Sequence, residues 1–420
     1  MMFAIEVEAD RCRIEGNRID LAAQGYGGVL VRGRHADVIG NRIVSAYGPP
    51  SLSGPIGVFA GAFTAADTGD GDSTNLALNH FTGVQLAVSV SRTRGMRIAG
   101  NMISGNGRTA GRGIAVTDGM ETLIAENQLR DVALPLQLVG GTRNRVIDNV
   151  VAATSLGAFI SGEGALEFCG NLIEDAALLG VGVQNIDGSN RFVNNRIAHC
   201  AYAANDLAVG IGVLEFAANV DVIIESCEIV NTGVSPDRSQ STPGLAIGIG
   251  AGALANVEVA NNRVVYEGTN ALDPNQEHRA VMLIGSLAYA ADTAARRLEI
   301  AQGGALITGN VFQGPGRTHL VELLRVPIAP PFDLRFEKVT FANNRCDHST
   351  MRGEGASTVA LFGNHMIVTG NHVKASLPSI FAMHLGNRPR VALLANYTTG
   401  GYTAVNTTVP APLANFNVRI

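Results

Sequence analysis

The chain has 420 residues, 50 of them glycine, with no tryptophan, 16% charged residues and a formal net charge of −5. That balance carries no basic footprint for nucleic acid, and no apolar run reaches the length of a bilayer span. Five scattered cysteines, an odd number without metal-type spacing, argue against a complete disulfide framework and read as buried thiols.

At the start, Met1 to Glu8 places Glu6 and Glu8 inside its apolar run, so the segment does not read as an export signal. The expectation is a cytoplasmic protein, or a processed or partial piece of an extracellular or surface-associated one. From Ile14 onward one short pattern recurs: apolar, any, small or polar, Asn, any, apolar. It reads Ile14-Glu15-Gly16-Asn17-Arg18-Ile19 and then Val38-Ile39-Gly40-Asn41-Arg42-Ile43. Further copies centre on Asn79, Asn101, Asn127, Asn149, Asn171, Asn195, Asn262, Asn310, Asn344, Asn371 and Asn396, and Cys227 fills the same slot in Ile224-Glu225-Ser226-Cys227-Glu228-Ile229. The shortest spacing, 22 residues from Asn79 to Asn101, is the length of one repeat, and any excess is inserted loop.

An apolar residue stands three before each Asn (Ile98, Ile124, Val146, Phe168) and another two after it (Ile103, Leu129, Val151, Ile173). The Asn is read as the residue that takes the left-handed backbone of a tight bend. Stacked in register, such Asn side chains can hydrogen-bond along a solenoid axis. Each repeat also carries a Gly followed by an apolar-any-apolar run, as in Gly28-Val29-Leu30-Val31, Gly113-Ile114-Ala115-Val116 and Gly210-Ile211-Gly212-Val213. This period of two is that of a strand. A leucine-rich repeat shares the Asn and the period. It is disfavoured by Ile, Val and Phe at the key positions, by the alternation in the other half of the repeat, and by a glycine content that penalises helices.

These residues resemble the right-handed parallel β-helix superfamily, the pectate-lyase-like fold, across nearly the whole chain. The resemblance implies an all-β, single-stranded solenoid of about fourteen coils as one domain over 1–420, with 411–420 as a C-terminal cap. It also implies three strands per coil, the Asn lying at the bend between the second and third. The Gly-led run is then the first strand, and the loop before it is where the family usually builds its groove.

Long insertions fall mainly in that loop, among them 198–208, 231–244, 266–279, 313–319 and 347–357. Two others, 62–75 and 286–302, lie elsewhere in the coil, the latter with helical potential over 290–297. The outward positions of the first strand are read as Leu30 and Arg32, Phe59, Gln85, Ala115 and Thr117, Gln137, Gly182 and Gln184, Gly212, Gly250, Met282 and Glu322. Polysaccharide lyases need a base and a neutralising cation, and hydrolases need two carboxyls; this floor offers one carboxylate, Glu322. The best polar constellation joins Glu322 and His319 as an acid–base pair to His278, Arg279, Asp237, Arg238 and Arg325 as ligand-binding groups. Its bland counterpart is a solvated loop surface.

No cofactor is implied. Asp67, Asp70 and Asp72 form a weak calcium-loop candidate that lacks a distal bidentate Glu, and four histidines near the end (His348, His365, His372, His384) have no ligand spacing. The leading functional expectation is a non-catalytic or degenerate scaffold or recognition module, carbohydrate-binding or part of a surface or phage-like assembly. The rivals are a polysaccharide lyase or glycoside hydrolase working beside the mid-chain loops, and a self-associating structural protein. Expected partners are a polysaccharide or another protein subunit, with homo-oligomers formed through the Gly-rich first sheet or the N-terminal end. Nucleic-acid binding and membrane insertion are not expected.

Overall fold

The computed structural model describes residues 2–21, 26–45, 54–62, 71–107, 110–213, 220–243, 245–251, 256–267, 279–284, 303–314, 320–323, 326–327, 333–334, 336–348, 358–375, 381–399 and 418–419. Among them every regular element is a strand and no helix occurs. The backbone forms two compact units, Met1–Val181 and Gly182–Ile420, taken here one at a time.

In Met1–Val181 three parallel sheets repeat coil by coil. The first sheet includes Tyr26–Val31, Ile56–Gly61, Leu86–Ser91, Arg112–Met120 and Leu134–Thr142, each in parallel register with the next. The second includes Arg13–Glu15, Asp37–Ile39, Asn75–Ala77, Arg97–Ala99, Leu123–Ala125 and Arg145–Ile147. The third runs from Arg18–Leu21 through Arg42–Ser45, His80–Thr82, Met102–Ser104 and Gln128–Arg130. Each sheet turns apolar side chains inward in register, in two columns from the first sheet and one from each of the others. Val58, Val88, Ile114 and Leu136 come from the first, Val38, Leu76, Ile98 and Ile124 from the second, and Ile43, Phe81, Ile103 and Leu129 from the third, and all are buried. The apolar residue three before each Asn is thus the second sheet's inward column, and the one two after it is the third's. The lumen is packed core, whose burial drives folding.

The Asn residues join the coils through their own side chains. Asn41 Nδ2 donates to Asn79 Oδ1 at 3.0 Å, Asn79 to Asn101 at 3.0 Å, Asn101 to Asn127 at 2.9 Å, Asn127 to Asn149 at 2.9 Å and Asn149 to Asn171 at 3.0 Å. Each Oδ1 also accepts the backbone N–H of the preceding Asn, as Asn127 Oδ1 does from Asn101 at 3.0 Å. Each Nδ2 also donates to a backbone carbonyl of the preceding coil, as Asn127 Nδ2 does to Ile98 at 2.9 Å. Two acceptor and two donor valences are therefore filled on a fully buried amide, which satisfies the requirement that buried polar groups be paired.

One sequence expectation is corrected here. The left-handed residue of the bend is the one before the Asn: Gly40 (φ 64°), Leu78 (57°), Gly100 (64°), Glu126 (57°) and Asp148 (54°). Glycine serves best there because it alone enters that region without steric cost. The Asn is selected for its amide.

The glycine near the start of the first strand in some coils, where others carry Ala87 or Pro135, has a different cause. A Cβ on Gly57 would lie 2.5 Å from the Ala87 carbonyl oxygen and 2.7 Å from the Phe81 ring; one on Gly113 would lie 2.4 Å from the Pro135 carbonyl oxygen and 2.5 Å from Leu129. At these two coils the start of the first strand has no room for a side chain.

Gly182–Ile420 repeats the plan. Its inward columns include Ile211, Ile249, Met282, Val321 and Val359 in the first sheet, Phe192, Ile224, Val259, Ile307 and Phe341 in the second, and Ile197, Ile229, Val264, Phe312 and Cys346 in the third. The amide ladder runs from Asn262 to Asn310, Asn344, Asn371 and Asn396 with bonds of 2.8–3.1 Å. It is interrupted at Cys227, where Asn195 Nδ2 meets a sulfur at 3.7 Å in place of the next amide oxygen. The thiol's contacts to the Phe192 and Glu225 carbonyls, at 3.3 and 3.4 Å, replace amide hydrogen bonds with weak ones.

Two predictions follow from the ladder. Asn127→Ala should cost about 2–4 kcal/mol in denaturant unfolding, because it leaves the Ile98 carbonyl and the Asn101 and Asn149 groups unpaired inside the core. Cys227→Asn should instead raise stability by about 1 kcal/mol, by supplying the missing amide in a slot of nearly the same volume. A destabilised Cys227→Asn variant would show that the interruption is tolerated for packing reasons.

Candidate functional site

The first-sheet floor is as poor in ionisable groups as the sequence suggests, with two changes of register. In the first unit the outward row is Leu30, Phe59, Ser89, Ala115, Gln137 and Phe159; Ser89, inside the strand, takes the place read for Gln85. In the second unit Met282 faces the core and is fully buried, and the position aligned with Gly212, Gly250 and Glu322 belongs to Leu283. The sequence misplaces Met282 because a run of apolar residues on both sides of it hides the alternation.

Of the groups expected around Glu322, His319, His278 and Arg325 lie outside the described residues, as do Asp67 and Asp70. Glu322 stands in register between Leu283 and Ala360. Arg279 pairs with Ala246 at the far end of the strand that carries Leu283, about 13 Å away along the strand direction; the backbone does not bring it beside Glu322. Asp237 is occupied by its own loop. Its Oδ1 accepts the Ser235 hydroxyl at 2.7 Å, the Ser239 N–H at 3.0 Å and the Ser239 hydroxyl at 2.8 Å. These bonds hold the carboxyl down at about 2. Arg238 beside it is exposed and takes a left-handed φ of 61°. Asp72 caps a turn, accepting the Arg94 N–H at 2.7 Å. Among the described residues no cluster of three or more His, Cys, Asp or Glu side chains is placed to hold a metal ion.

The concavity that the described residues do form lies on a different sheet. In Gly182–Ile420 the outer face of the second sheet carries an open cleft of about 400 Å³. Two outward rows line it. Ser189, Asp221, Asn256, Gly304 and Lys338 make one row; Ile223, Glu258, Leu306 and Thr340 make the other. Counted from each bend, they occupy the sixth and fourth positions before it, so strand alternation and one inward position fix both rows.

Within the cleft, Asn256 Nδ2 donates to Asp221 Oδ1 at 2.8 Å, and Asn256 Oδ1 accepts the Gly304 N–H at 3.2 Å. Gly304 leaves a notch in the floor. A Cβ there would meet only the Lys338 carbonyl oxygen at 3.6 Å and Asn256 Oδ1 at 3.8 Å, so no packing demands glycine. Leu306 is 38% exposed beside it. Past Lys338, His365 Nε2 lies 3.3 Å from Glu337 Oε1, and Asn364 Nδ2 donates to Glu337 Oε2 at 2.7 Å. Sequence reading passed over this face because attention to the first sheet follows the family's usual groove.

A perturbed carboxyl sits elsewhere, in the first unit. Glu163 is fully buried, and Asn144 Nδ2 donates to its Oε2 at 2.9 Å and Oε1 at 3.1 Å. Burial pushes its pKa up to about 7, against the smaller opposing effect of Asn144. Its partner is the Asn144 amide, inside the stack of coils.

Residues 4–197 match the family model described as a right handed beta helix region. That match covers a little under half of the chain, and each unit has the fold of a right-handed parallel β-helix. No curated protein sequence matches it. Among solved structures this β-helix is similar to the Dettilon tailspike protein (14% identity, 86% of this chain and 61% of that one, TM-score 0.36). It is similar also to the catalytic domain of a GH87 alpha-1,3-glucanase in complex with tetrasaccharides (11%, 84% and 64%, TM-score 0.49). A third is PfbA, a surface adhesin of Streptococcus pneumoniae (11%, 89% and 82%, TM-score 0.42). The chain spans less than two thirds of the length of the first two.

Glu163 makes a pH dependence that can be measured. Its folded pKa lies above the unfolded value, so the folded state keeps a proton that the unfolded chain releases between about pH 4.5 and 7. Stability should therefore fall as pH rises through that window, by up to about 3 kcal/mol. Glu163→Gln should remove this fall, leaving a variant more stable than the parent at pH 7.5 and nearly equal to it at pH 4. Parallel stability–pH curves for the two proteins would refute the assignment.

Proposed function

We propose that this β-helix is a recognition module that binds a linear saccharide along the outer face of the second sheet in Gly182–Ile420, without cleaving it. The observation that carries the reading is the cleft itself. It offers hydrogen-bonding groups in one row (Ser189, Asp221, Asn256, Lys338) and partly apolar ones in the other (Ile223, Leu306). A sugar ring presents the same division, with hydroxyls at its rim and C–H groups on its faces. Successive strands lie about 4.8 Å apart, so the cleft repeats its contacts along the coil axis as a polymer of small units does. The notch at Gly304 lets a ring approach the backbone closely.

A binding role is supported further by the first sheet. The register row that holds Gly212 and Gly250 continues through Leu283, Glu322 and Ala360, one carboxylate among small and apolar residues. Hydrolysis requires two carboxyls flanking the scissile bond; that row offers one, and the two carboxyls of the cleft, Asp221 and Glu258, lie one coil apart at the same end of it, with Asp221 Oδ1 bound to the Asn256 amide.

The test is a polysaccharide panel scored for binding and for release of reducing ends. Binding without cleavage is expected. Gly304→Leu should abolish it while leaving the melting temperature unchanged, since the added side chain fills the notch and not the core. Asn256→Ala should weaken binding about tenfold, the loss of roughly one good hydrogen bond, and Glu322→Ala should have no effect. Release of reducing ends, or binding indifferent to Gly304→Leu, would overturn the proposal.

A further inference from the structure

The two ends of the cleft carry opposite charges that the protein leaves unspent. Glu258 is half-buried and Lys338 is exposed. Among the described residues neither makes an ion pair or a side-chain hydrogen bond. They do not pair with each other because a whole coil separates them: Glu258 is in register with Leu306, and Lys338 with Gly304 on that same intervening strand. Two strand spacings put them about 10 Å apart along the axis. Asp221, one coil before Glu258 and diagonal to it, adds a second negative charge at that end. Elsewhere on the second-sheet surface some charged side chains meet a cross-strand partner, as Arg145 meets Glu167 at 2.6 Å. The cleft keeps its charges separated, over a floor with a notch and a leucine.

We infer that the cleft selects a glycan segment that carries both signs, with an amine held against Glu258 and Asp221 and a carboxylate on Lys338, the ring between them resting over Gly304 and Leu306. This inference rests on the saccharide-binding reading above and narrows it. A uniformly acidic polymer would bring carboxylates against Asp221 and Glu258, and a uniformly cationic one would bring amines against Lys338; like charges so placed oppose binding and sharpen specificity. A segment of alternating sign meets attraction at both ends. Each contact is charge-assisted and stronger than a neutral hydrogen bond, and both are open to solvent and so screened by salt.

The experiment is titration calorimetry with four oligosaccharides of equal length. They are one of alternating glucuronate and N-unsubstituted glucosamine, its fully N-acetylated counterpart, a chitosan oligomer and an oligogalacturonate. The free-amine alternating oligomer should bind at least tenfold more tightly than the other three, and the preference should shrink between 50 and 500 mM salt. Glu258→Gln should bring its affinity down to that of the N-acetylated form, and Lys338→Gln down to that of the chitosan oligomer. Both substitutions are on the solvent face of strands and leave the core untouched, which an unchanged melting temperature verifies. Equal binding of the alternating oligomer and its N-acetylated form, or a preference that survives both substitutions, would overturn this inference and leave the saccharide reading standing. Failure of all four oligomers and of the wider panel to bind would overturn the saccharide reading itself.

Discussion

Each unit depends on the buried Asn amide at the bend between the second and third strands. A parallel stack of short strands has to turn its backbone through a sharp corner at every coil, and the polar groups at that corner are shut away from water. The amide answers that with two donors and two acceptor positions in the directions the stack needs, up to one coil and down to the other. An aspartate there would lack the donors and a leucine would lack everything but volume. The contact is made between coils, so every coil holds its neighbours in register, and register in turn keeps the apolar columns pointing inward. A shift of a single residue would turn each column out to water.

That arrangement leaves the outer faces of the sheets free of structural duty. In Met1–Val181 the second-sheet surface carries the cross-strand ion pair Arg145–Glu167 and the same-strand pair Arg13–Glu15. In Gly182–Ile420 the second-sheet strands reach two residues further from the bend, and there Asp221, Asn256, Gly304 and Lys338 stand side by side, with a glycine where packing requires none. The bend and the core obey the same rules in both units, so they do not account for that row. It is this difference that directs attention to the cleft.

Two buried polar groups show what the plan tolerates. Cys227 replaces an amide by a thiol of similar size, and the ladder goes on past it because the backbone N–H of Cys227 still donates to Asn262 Oδ1 at 2.8 Å. Glu163 places a carboxyl in the interior with one amide as its partner, so its neutral form is favoured there. Both are local costs absorbed by a stack in which each coil contacts chiefly its neighbours.

The sequence by itself determined the repeat, the bend and the inward columns, because each is a local pattern that recurs from coil to coil: Asn with an apolar residue three before and two after, and in some coils glycine ahead of an alternating run. It misattributed the left-handed residue of the bend to the Asn, since the spacing of the two positions is one residue and only backbone geometry separates them. It misread the face of Met282 for a similar reason, as apolar neighbours on both sides conceal a period of two. Which groups come together on the surface was decided by tertiary structure alone. Asp221, Asn256, Gly304 and Lys338 are separated by 35, 48 and 34 residues, and the lengths of the intervening loops carry no sign of where each strand will pair. Only the stacking of coils places them side by side, because strand pairing brings residues within 5 Å without regard to their distance along the chain.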